Sequence, residues 1–315
     1  MKNKIFVVFS SGAEILSDAI KSCSSKTEVI QIDPILKTYF FRALRSVCLR
    51  YNLFKELWFY FEIYKFHILK KKYKNNTEFI AIIFDVPIWI INIHLFKKFF
   101  PIENIKFWFW NPIDRSRILN LGKITRNVSS VVSFDQKNCV KFNIKFIPQF
   151  YWGSSNKTKY KELYDIIYVG RSKNRLTQIE NLFKQCKKLK LNVFFHVKKD
   201  FKDQVSTVFE LKNENINYAD YKILMQQSKV IAEFNSSEQA GLTLRPLEAI
   251  FYEKKLVTNN KEIKDYDFYT RENIFILGGD EELSKEFFET NVYPYNELYK
   301  YEYSFENWLH KISII

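Results

Sequence analysis

The side chains best suited to chemistry in the second half of this sequence are cations that follow short apolar runs. Gly170, Arg171, Lys173 and Arg175 come directly after the run Asp165–Val169, which reads as a buried strand. A glycine turn at the carboxyl end of such a strand lets the backbone approach a ligand, and three cations beside it can hold linked phosphates. A solvated basic loop is the alternative. The segment is therefore a candidate clamp for a diphosphate.

A second candidate segment follows another apolar run, Val230–Phe234. Gly241 lies in a polar break, and Thr243 is placed to cap a helix whose apolar residues recur with helical spacing. The free N–H groups at such a helix start bind anions, and Arg245, early in the helix, can add a bidentate contact. Glu248 lies a turn further along, where a carboxylate suits sugar hydroxyls. An exposed helix glutamate is the alternative reading of Glu248.

The elements that must position these residues alternate between strands and helices, which indicates parallel, doubly wound sheets. A polar stretch over residues 151–158 separates two such series and predicts a domain linker. The strands predicted before it are Lys4–Phe9, Thr27–Ile32, Glu78–Phe84, Asn104–Trp110, Val128–Phe134 and Asn143–Ile147, with a helix over Ile90–Phe100. After it we expect strands at Asp165–Val169, Asn192–Val197, Val230–Phe234 and Leu256–Thr258, and a helical segment over Glu282–Ile315.

At these residues a family resemblance appears. The segment Gly241–Ala249, followed by Lys254-Lys255-Leu256-Val257-Thr258, resembles the donor-binding segment of GT-B glycosyltransferases, and in particular bacterial transferases of lipopolysaccharide and capsule biosynthesis. The resemblance covers most of the chain. It implies an α/β fold of the GT-B class, with two Rossmann-like domains facing across a cleft. The implied domains are an acceptor-binding domain over 1–152, a nucleotide-sugar-binding domain over 153–300, and a helix over 301–315 that crosses back to the first domain.

The resemblance also implies roles for the residues that match the motif. The donor would be a nucleotide-diphosphate sugar, with UDP as the expected nucleotide, and no metal or other cofactor is expected. Its phosphates would contact the two cationic segments. Its ribose would contact Glu248, and its base would contact the region of Tyr218. The implied donor-binding set is Gly170, Arg171, Lys173, Arg175, Tyr218, Gly241, Thr243, Arg245 and Glu248. Whether the anomeric configuration is retained or inverted stays open.

An inverting enzyme needs a base that deprotonates the acceptor hydroxyl. The candidates are Asp85, Asp114 and Asp135, of which Asp85 ends a predicted strand. Aspartates at strand ends are also ordinary turn or cap residues, and that alternative stays open. Asp265 and Asp267 form a DxD triplet, but it falls in a predicted loop, so it does not predict a metal site.

The composition excludes a disordered chain and points to an anionic partner. The sequence is 47% hydrophobic and carries a formal net charge of +14. Residues 40–74 combine aromatic side chains with Lys and Arg, and predict either helices packed on the sheet or a surface that docks on an anionic membrane. Scattered cysteines and the lack of a long apolar run predict a cytoplasmic protein, peripheral to the membrane at most.

The expected partners are the nucleotide-sugar donor and a lipid-linked or lipopolysaccharide glycan acceptor, without nucleic acid. Two other functions compete with a transferase. A basic nucleic-acid-binding protein would use the same cations and aromatic side chains for phosphates and bases, but no recognised nucleic-acid motif is present. A catalytically inactive partner that only binds sugar nucleotides is the third possibility.

Overall fold

A computed structural model describes residues 3–10, 14–32, 55–73, 77–153, 160–235, 241–279 and 282–315. The predicted basic–aromatic segment before residue 55 and most of the predicted linker lie outside these ranges. The chain divides into two compact units. Unit 1 comprises Met1–Pro148 with Phe305–Ile315, and unit 2 comprises Gln149–Ser304.

Unit 1 is built on a parallel sheet of six strands in the order β2-β1-β3-β4-β5-β6. Helices α1 to α5 occur between the strands in sequence, and helix α11 comes from the end of the chain. The strands are β1 (Asn3–Phe9), β2 (Glu28–Ile32), β3 (Thr77–Phe84), β4 (Ile105–Phe109), β5 (Ser130–Ser133) and β6 (Lys145–Phe146). The helices are α1 (Glu14–Lys21), α2 (Lys55–Lys70), α3 (Pro87–Ile91), α4 (Arg115–Thr125), α5 (Gln136–Phe142) and α11 (Phe305–Ile314).

Strands β1, β3 and β4 are apolar on both faces because helices cover both sides of a parallel sheet. Ile5, Val7 and Phe9 of β1 share one core with Phe59, Ile63 and Phe66 of α2. This accounts for the near-continuous apolar sequences of these strands, which the sequence analysis identified.

Unit 2 contains a second parallel sheet, of five strands in the order β11-β10-β9-β7-β8. Its strands are β7 (Tyr164–Arg171), β8 (Val193–Lys198), β9 (Ser228–Glu233), β10 (Lys255–Thr258) and β11 (Ile274–Ile276). Its helices are α6 (Leu176–Lys188), α7 (Tyr218–Gln226), α8 (Leu244–Tyr252), α9 (Lys285–Glu289) and α10 (Glu297–Glu302). Two Rossmann-like units in one chain are the domain composition of the GT-B fold, so the predicted class of two Rossmann-like α/β domains is confirmed.

Two local predictions were wrong. The helix expected over Ile90–Phe100 is the short helix α3 followed by a 3-10 helix over Ile93–Lys98, because Asn92 leaves helical geometry at φ −103° and ψ 13°. The helical segment expected over Glu282–Ile315 consists of the separate helices α9, α10 and α11. Pro294 lies in the irregular stretch between α9 and α10, where its missing N–H prevents a continuous helix.

Helix α11 packs into the core of unit 1 through Trp308. This side chain is 2% exposed, and its ring centroid lies 5.1 Å from that of Trp108 on β4. Nearer the start of the helix, the Glu306 carboxylate accepts hydrogen bonds from the side chains of Ser24 and Thr27. The last eleven residues are therefore part of the fold of unit 1. None of the helices in the described ranges is long and apolar enough to cross a membrane.

We expect Trp308→Ala to lower the free energy of unfolding of unit 1 by about 3–5 kcal/mol, because it leaves a cavity beside Trp108. Ile314→Ala, on the same helix at an 82% exposed position, is the matched control and should be nearly neutral. Urea unfolding combined with hydrogen-exchange mass spectrometry measures both variants. Loss of amide protection in unit 2 instead of in β1, β3 and β4 would contradict the assignment of α11 to unit 1.

Candidate functional site

The strand order of unit 2 reverses between β7 and β9. Strand β8 pairs with one side of β7, and β9 pairs with the other side, with Ile167 beside Ile231. Connections leave a doubly wound sheet in opposite directions at such a point, and this opens a crevice outside the carboxyl ends of the two strands. Ligands of open α/β sheets bind there, so the residues that end β7 and β9 define the candidate site.

The loop that follows β7 is shaped by Asp200, which lies just beyond β8. The Asp200 carboxylate accepts hydrogen bonds from Ser172 Oγ at 2.7 Å, from Arg171 Nε at 3.2 Å and from the backbone N–H of Lys173. Lys173 and Asn174 have φ values of 39° and 60°, in the left-handed region. These contacts turn the chain sharply directly after Arg171, the last residue of β7, and Lys173 and Arg175 lie in the turn.

Gly170 is required at this turn for a steric reason. A Cβ atom at position 170 would lie 2.8 Å from the hydroxyl oxygen of Tyr168. That hydroxyl donates a hydrogen bond to the Arg171 carbonyl at 3.0 Å, so it is held in place. Gly170, the predicted glycine of the clamp, therefore leaves room for the Tyr168 side chain, which stabilises the loop through its hydrogen bond to the Arg171 carbonyl.

The three cations of this loop repel one another. Within the described ranges, the exposed ammonium of Lys173 has no ion-pair partner, and partial loss of hydration together with the charges of Arg175 and Arg171 lowers its pKa. Asp200 supplies one negative charge against three positive ones. A ligand with two or more negative charges would relieve this repulsion, as the clamp hypothesis requires.

Arg175 lies at the switch point itself. Its guanidinium donates hydrogen bonds to the Phe234 carbonyl, just after β9, and to the Arg171 carbonyl at 3.3 Å, at the end of β7. Its Nε is buried and has no hydrogen-bond partner among the described residues. The side-chain amide nitrogen and oxygen of Asn235, the next residue after Phe234, are also buried without a hydrogen-bond partner among the described residues. Unsatisfied polar atoms thus cluster where the two strands diverge.

Helix α8 begins as predicted, with Thr243 as its N-cap, because the Thr243 hydroxyl oxygen accepts the Arg245 N–H at 3.1 Å. The hydroxyl proton is donated to Glu233, a buried residue at the end of β9 that also accepts from Thr258 Oγ1 at 2.8 Å. Burial raises the pKa of Glu233. Thr243 therefore contributes to an anion site mainly by fixing the helix start. Gly241 is buried two residues before the cap.

Arg245 and Glu248 form an ion pair inside unit 2, with Arg245 Nη1 2.6 Å from Glu248 Oε2. The guanidinium lies 3.9 Å from the centre of the Tyr221 ring, and Nη2 donates to the Val169 carbonyl of β7 at 3.2 Å. About a quarter of the Arg245 side chain remains exposed, against none of Glu248. The pair holds Arg245 beside the end of β7, with part of its side chain exposed.

Tyrosine hydroxyls complete the environment of Glu248. Tyr218 donates to Oε1 at 3.0 Å and Tyr221 to Oε2 at 2.8 Å, while the Tyr151 hydroxyl lies 2.7 Å from that of Tyr218. The predicted residues Tyr218, Arg245 and Glu248 thus belong to one network. Contact of Glu248 with a ribose and of Tyr218 with a base stay predictions. In the network itself, Glu248 orients Arg245.

Asp85 and Asp114, two of the three candidate bases in unit 1, share Arg117. Asp85 follows β3 and accepts from Arg117 Nε at 3.0 Å, Asn111 Nδ2 at 3.3 Å and the Trp110 N–H at 3.1 Å. Burial raises the pKa of Asp85, although the Arg117 charge opposes the shift. Asp114 caps α4 and pairs with Arg117 Nη1 at 2.5 Å. A carboxylate has about four lone-pair sites, so Asp85 retains the capacity to accept a further hydrogen bond beside these donors.

Asp135 is buried at the start of α5, where its carboxylate accepts the Asn138 N–H at 3.0 Å as a helix cap. Its contacts therefore fit the structural alternative, and the role of base stays a prediction for all three aspartates. No group of His, Cys, Asp and Glu side chains in the described part of the chain could hold a metal ion.

Two charged residues that shape the site were missed by the sequence analysis. Glu233 is a lone acid at the end of an apolar strand, and Asp200 follows the strand β8. A single acid at the carboxyl end of a buried strand is a signal that could have identified Glu233, since burial demands hydrogen-bond partners.

No protein-family model and no curated protein matches the sequence. Several solved structures have a similar chain path at low sequence identity. An S. aureus MnaA–UDP co-structure has a TM-score of 0.44 and 10% identity, over 99% of this chain and 91% of the other. An α-glucosyltransferase in complex with UDP and a DNA 13-mer has a TM-score of 0.49 and 13% identity, over 88% and 84%. For a UDP-N-acetylglucosamine 2-epimerase from Rickettsia bellii these values are 0.47 and 12%, over 100% and 96%. Identities in this range do not transfer an activity, which has to be argued from the side chains.

We expect Glu248→Ala to lower the free energy of unfolding of unit 2 by about 3–5 kcal/mol, because it leaves the Arg245 charge without its buried partner. The double variant Arg245→Met/Glu248→Leu should be more stable than Glu248→Ala, since it removes both charges and keeps apolar volume. Denaturant unfolding of wild type, Arg245→Met, Glu248→Leu and the double variant completes a thermodynamic cycle. Strictly additive effects would show that the two side chains are not coupled.

Proposed function

We propose that this chain is a glycosyltransferase that transfers a sugar from a nucleotide-diphosphate donor, with UDP as the expected nucleotide. The observation that supports the proposal is the placement of Arg171, Lys173, Arg175 and Arg245 around the carboxyl ends of β7 and β9. Each lies in or directly after the strand–loop–helix segments where open α/β sheets bind phosphates. The excess of positive charge there suits a diphosphate.

In the proposed reaction, an acceptor hydroxyl forms a bond to the anomeric carbon while the bond from that carbon to the diphosphate oxygen breaks. The departing oxygen gains negative charge. Arg171, Lys173, Arg175 and Arg245 would stabilise that charge, which in this proposal makes a metal ion unnecessary. In an inverting reaction a carboxylate of unit 1 would take the hydroxyl proton, with Asp85, Asp114 and Asp135 as alternatives.

The proposed acceptor is a lipopolysaccharide, O-antigen or capsule glycan at the cytoplasmic face of a membrane. This part of the proposal is supported by the resemblance of Gly241–Ala249 and Lys254–Thr258 to bacterial transferases of that type. An inactive protein that binds sugar nucleotides without turning them over would have the same phosphate contacts. Binding without transfer or donor hydrolysis would favour that alternative.

We expect Lys173→Ala to weaken UDP binding and to slow cleavage of the sugar–diphosphate bond by about 100-fold, the effect of losing one preorganised contact to a developing anion. Lys173 is the best residue to test because its ammonium has no ion-pair partner among the described residues, so the variant should fold normally. Calorimetric UDP titration and release of UDP from UDP-sugars measure the two effects.

Lys202→Ala is the matched control, since it removes an exposed lysine from the neighbouring loop after β8. Its UDP affinity and turnover should equal those of the wild type. Equal losses in Lys173→Ala and Lys202→Ala would mean that general positive charge, rather than the clamp, attracts the nucleotide. An unchanged Lys173→Ala would contradict the assignment of Lys173.

A further inference from the structure

The positive charge of this protein is concentrated in one unit. Unit 1 contains 25 Lys and Arg against 12 Asp and Glu, a net charge of +13, whereas unit 2 contains 24 against 23, a net charge of +1. The two units contain similar numbers of Lys and Arg, as a general enrichment of the sequence in lysine would produce. Unit 1 differs by its shortage of acids. Most of the net charge of the protein therefore lies outside unit 2, the unit that contains the candidate phosphate site.

Helix α2 of unit 1 is apolar on two opposite faces. Phe59, Ile63 and Phe66 are buried against the sheet. Tyr60, Tyr64 and Ile68, spaced four residues apart and hence on one side of the helix, are 37%, 58% and 44% exposed. A helix that only covered a sheet would carry polar side chains on its outer face. This outer stripe therefore suits contact with an apolar partner.

One exposed cation contacts this stripe, and others lie near that cation or directly after α2. Lys98, at the end of the 3-10 helix, donates from Nζ to the Tyr60 hydroxyl at 2.7 Å. Its neighbour Lys97 donates to the carbonyl of Arg126, just after α4, at 2.9 Å. Lys71 and Lys72 directly follow α2 and are exposed. We call this set the outer band: Tyr60, Tyr64, Ile68, Lys71, Lys72, Lys97, Lys98 and Arg126.

We propose that the outer band docks unit 1 on the surface of a bilayer that contains anionic lipids. Tyr64 and Ile68 would enter the boundary between headgroups and acyl chains, while the lysine ammonium groups stay among the lipid phosphates. Each such lysine adds attraction to an anionic leaflet, and the net charge of unit 1 adds a longer-range contribution. The docking does not depend on the donor site and can be tested without nucleotide.

The composition of the band favours lipid over nucleic acid. Binding of single-stranded nucleic acid relies on aromatic faces that remain open for stacking with bases. Here the polar end of the Tyr60 ring is engaged, since Lys98 Nζ donates to its hydroxyl at 2.7 Å and lies 5.4 Å from the ring centre. The stripe continues into the aliphatic Ile68, which has no stacking surface. Both features suit insertion into an apolar interface.

The test is co-sedimentation of the full chain with phosphatidylcholine vesicles that contain or lack phosphatidylglycerol. The wild type should bind only the anionic vesicles, and added salt should weaken binding. Lys71→Gln/Lys72→Gln should reduce partitioning about 10-fold or more, given the usual contribution of a lysine near an anionic leaflet. Lys187→Gln/Lys188→Gln, which neutralises two lysines in the last turn of α6 in unit 2, is the matched control and should not change binding.

The apolar part of the band is tested separately. Tyr64→Ser/Ile68→Ser should weaken vesicle binding, whereas Tyr293→Ser/Leu298→Ser, which removes two exposed apolar side chains from unit 2, should not. Melting temperatures equal to that of the wild type show that the variants fold. The proposal is overturned if the wild type does not bind anionic vesicles, or if the control and band variants lose binding equally. Binding of generic oligonucleotides in place of vesicles would also overturn it.

Discussion

The candidate site depends on one buried ion pair, Arg245–Glu248. Glu248 is completely buried, and a carboxylate in that position costs several kcal/mol unless donors surround it. Arg245, Tyr218 and Tyr221 supply those donors, so helix α7, helix α8 and the end of β7 must lie at fixed distances from one another. The fixed position of the Arg245 guanidinium is a consequence of this arrangement, because Arg245 cannot leave its position without leaving the Glu248 carboxylate unpaired.

The same principle, a carboxylate that holds cationic or polar groups in place, recurs around the switch point. Asp200 shapes the loop that carries Arg171 and Lys173, and Glu233 holds Thr243 at the start of α8. These acids stabilise the positions of the cations without neutralising all of them. An edge of the sheet with a fixed geometry and an excess of positive charge can stabilise charge that develops on a leaving diphosphate, and it needs little rearrangement to do so.

Local patterns predicted much of the fold and of the site. Continuous apolar runs identified the central strands, and Thr243 was correctly predicted as a helix cap, because both features depend on neighbouring residues. The burial of Glu248 and the contacts of Glu233 and Asp200 depend on pairing between distant segments, which the sequence pattern does not contain. Asn92 shows the limit within a single element, since one residue split a predicted helix. Asp85 was correctly placed at the end of a strand, but the chemical roles of all three aspartates require a bound acceptor.

The central claim is that a nucleotide diphosphate binds unit 2 through its cations without a metal ion. Thermal unfolding in the presence of UDP, GDP, CMP, ADP or dTDP, each with and without EDTA, tests it most directly. A ligand that binds only the folded state at about 100 times its dissociation constant stabilises that state by about 2.7 kcal/mol. The account predicts a clear rise in melting temperature with one diphosphate, expected to be UDP, and no effect of EDTA. Stabilisation that EDTA abolishes, or no stabilisation by any of the five, would contradict it.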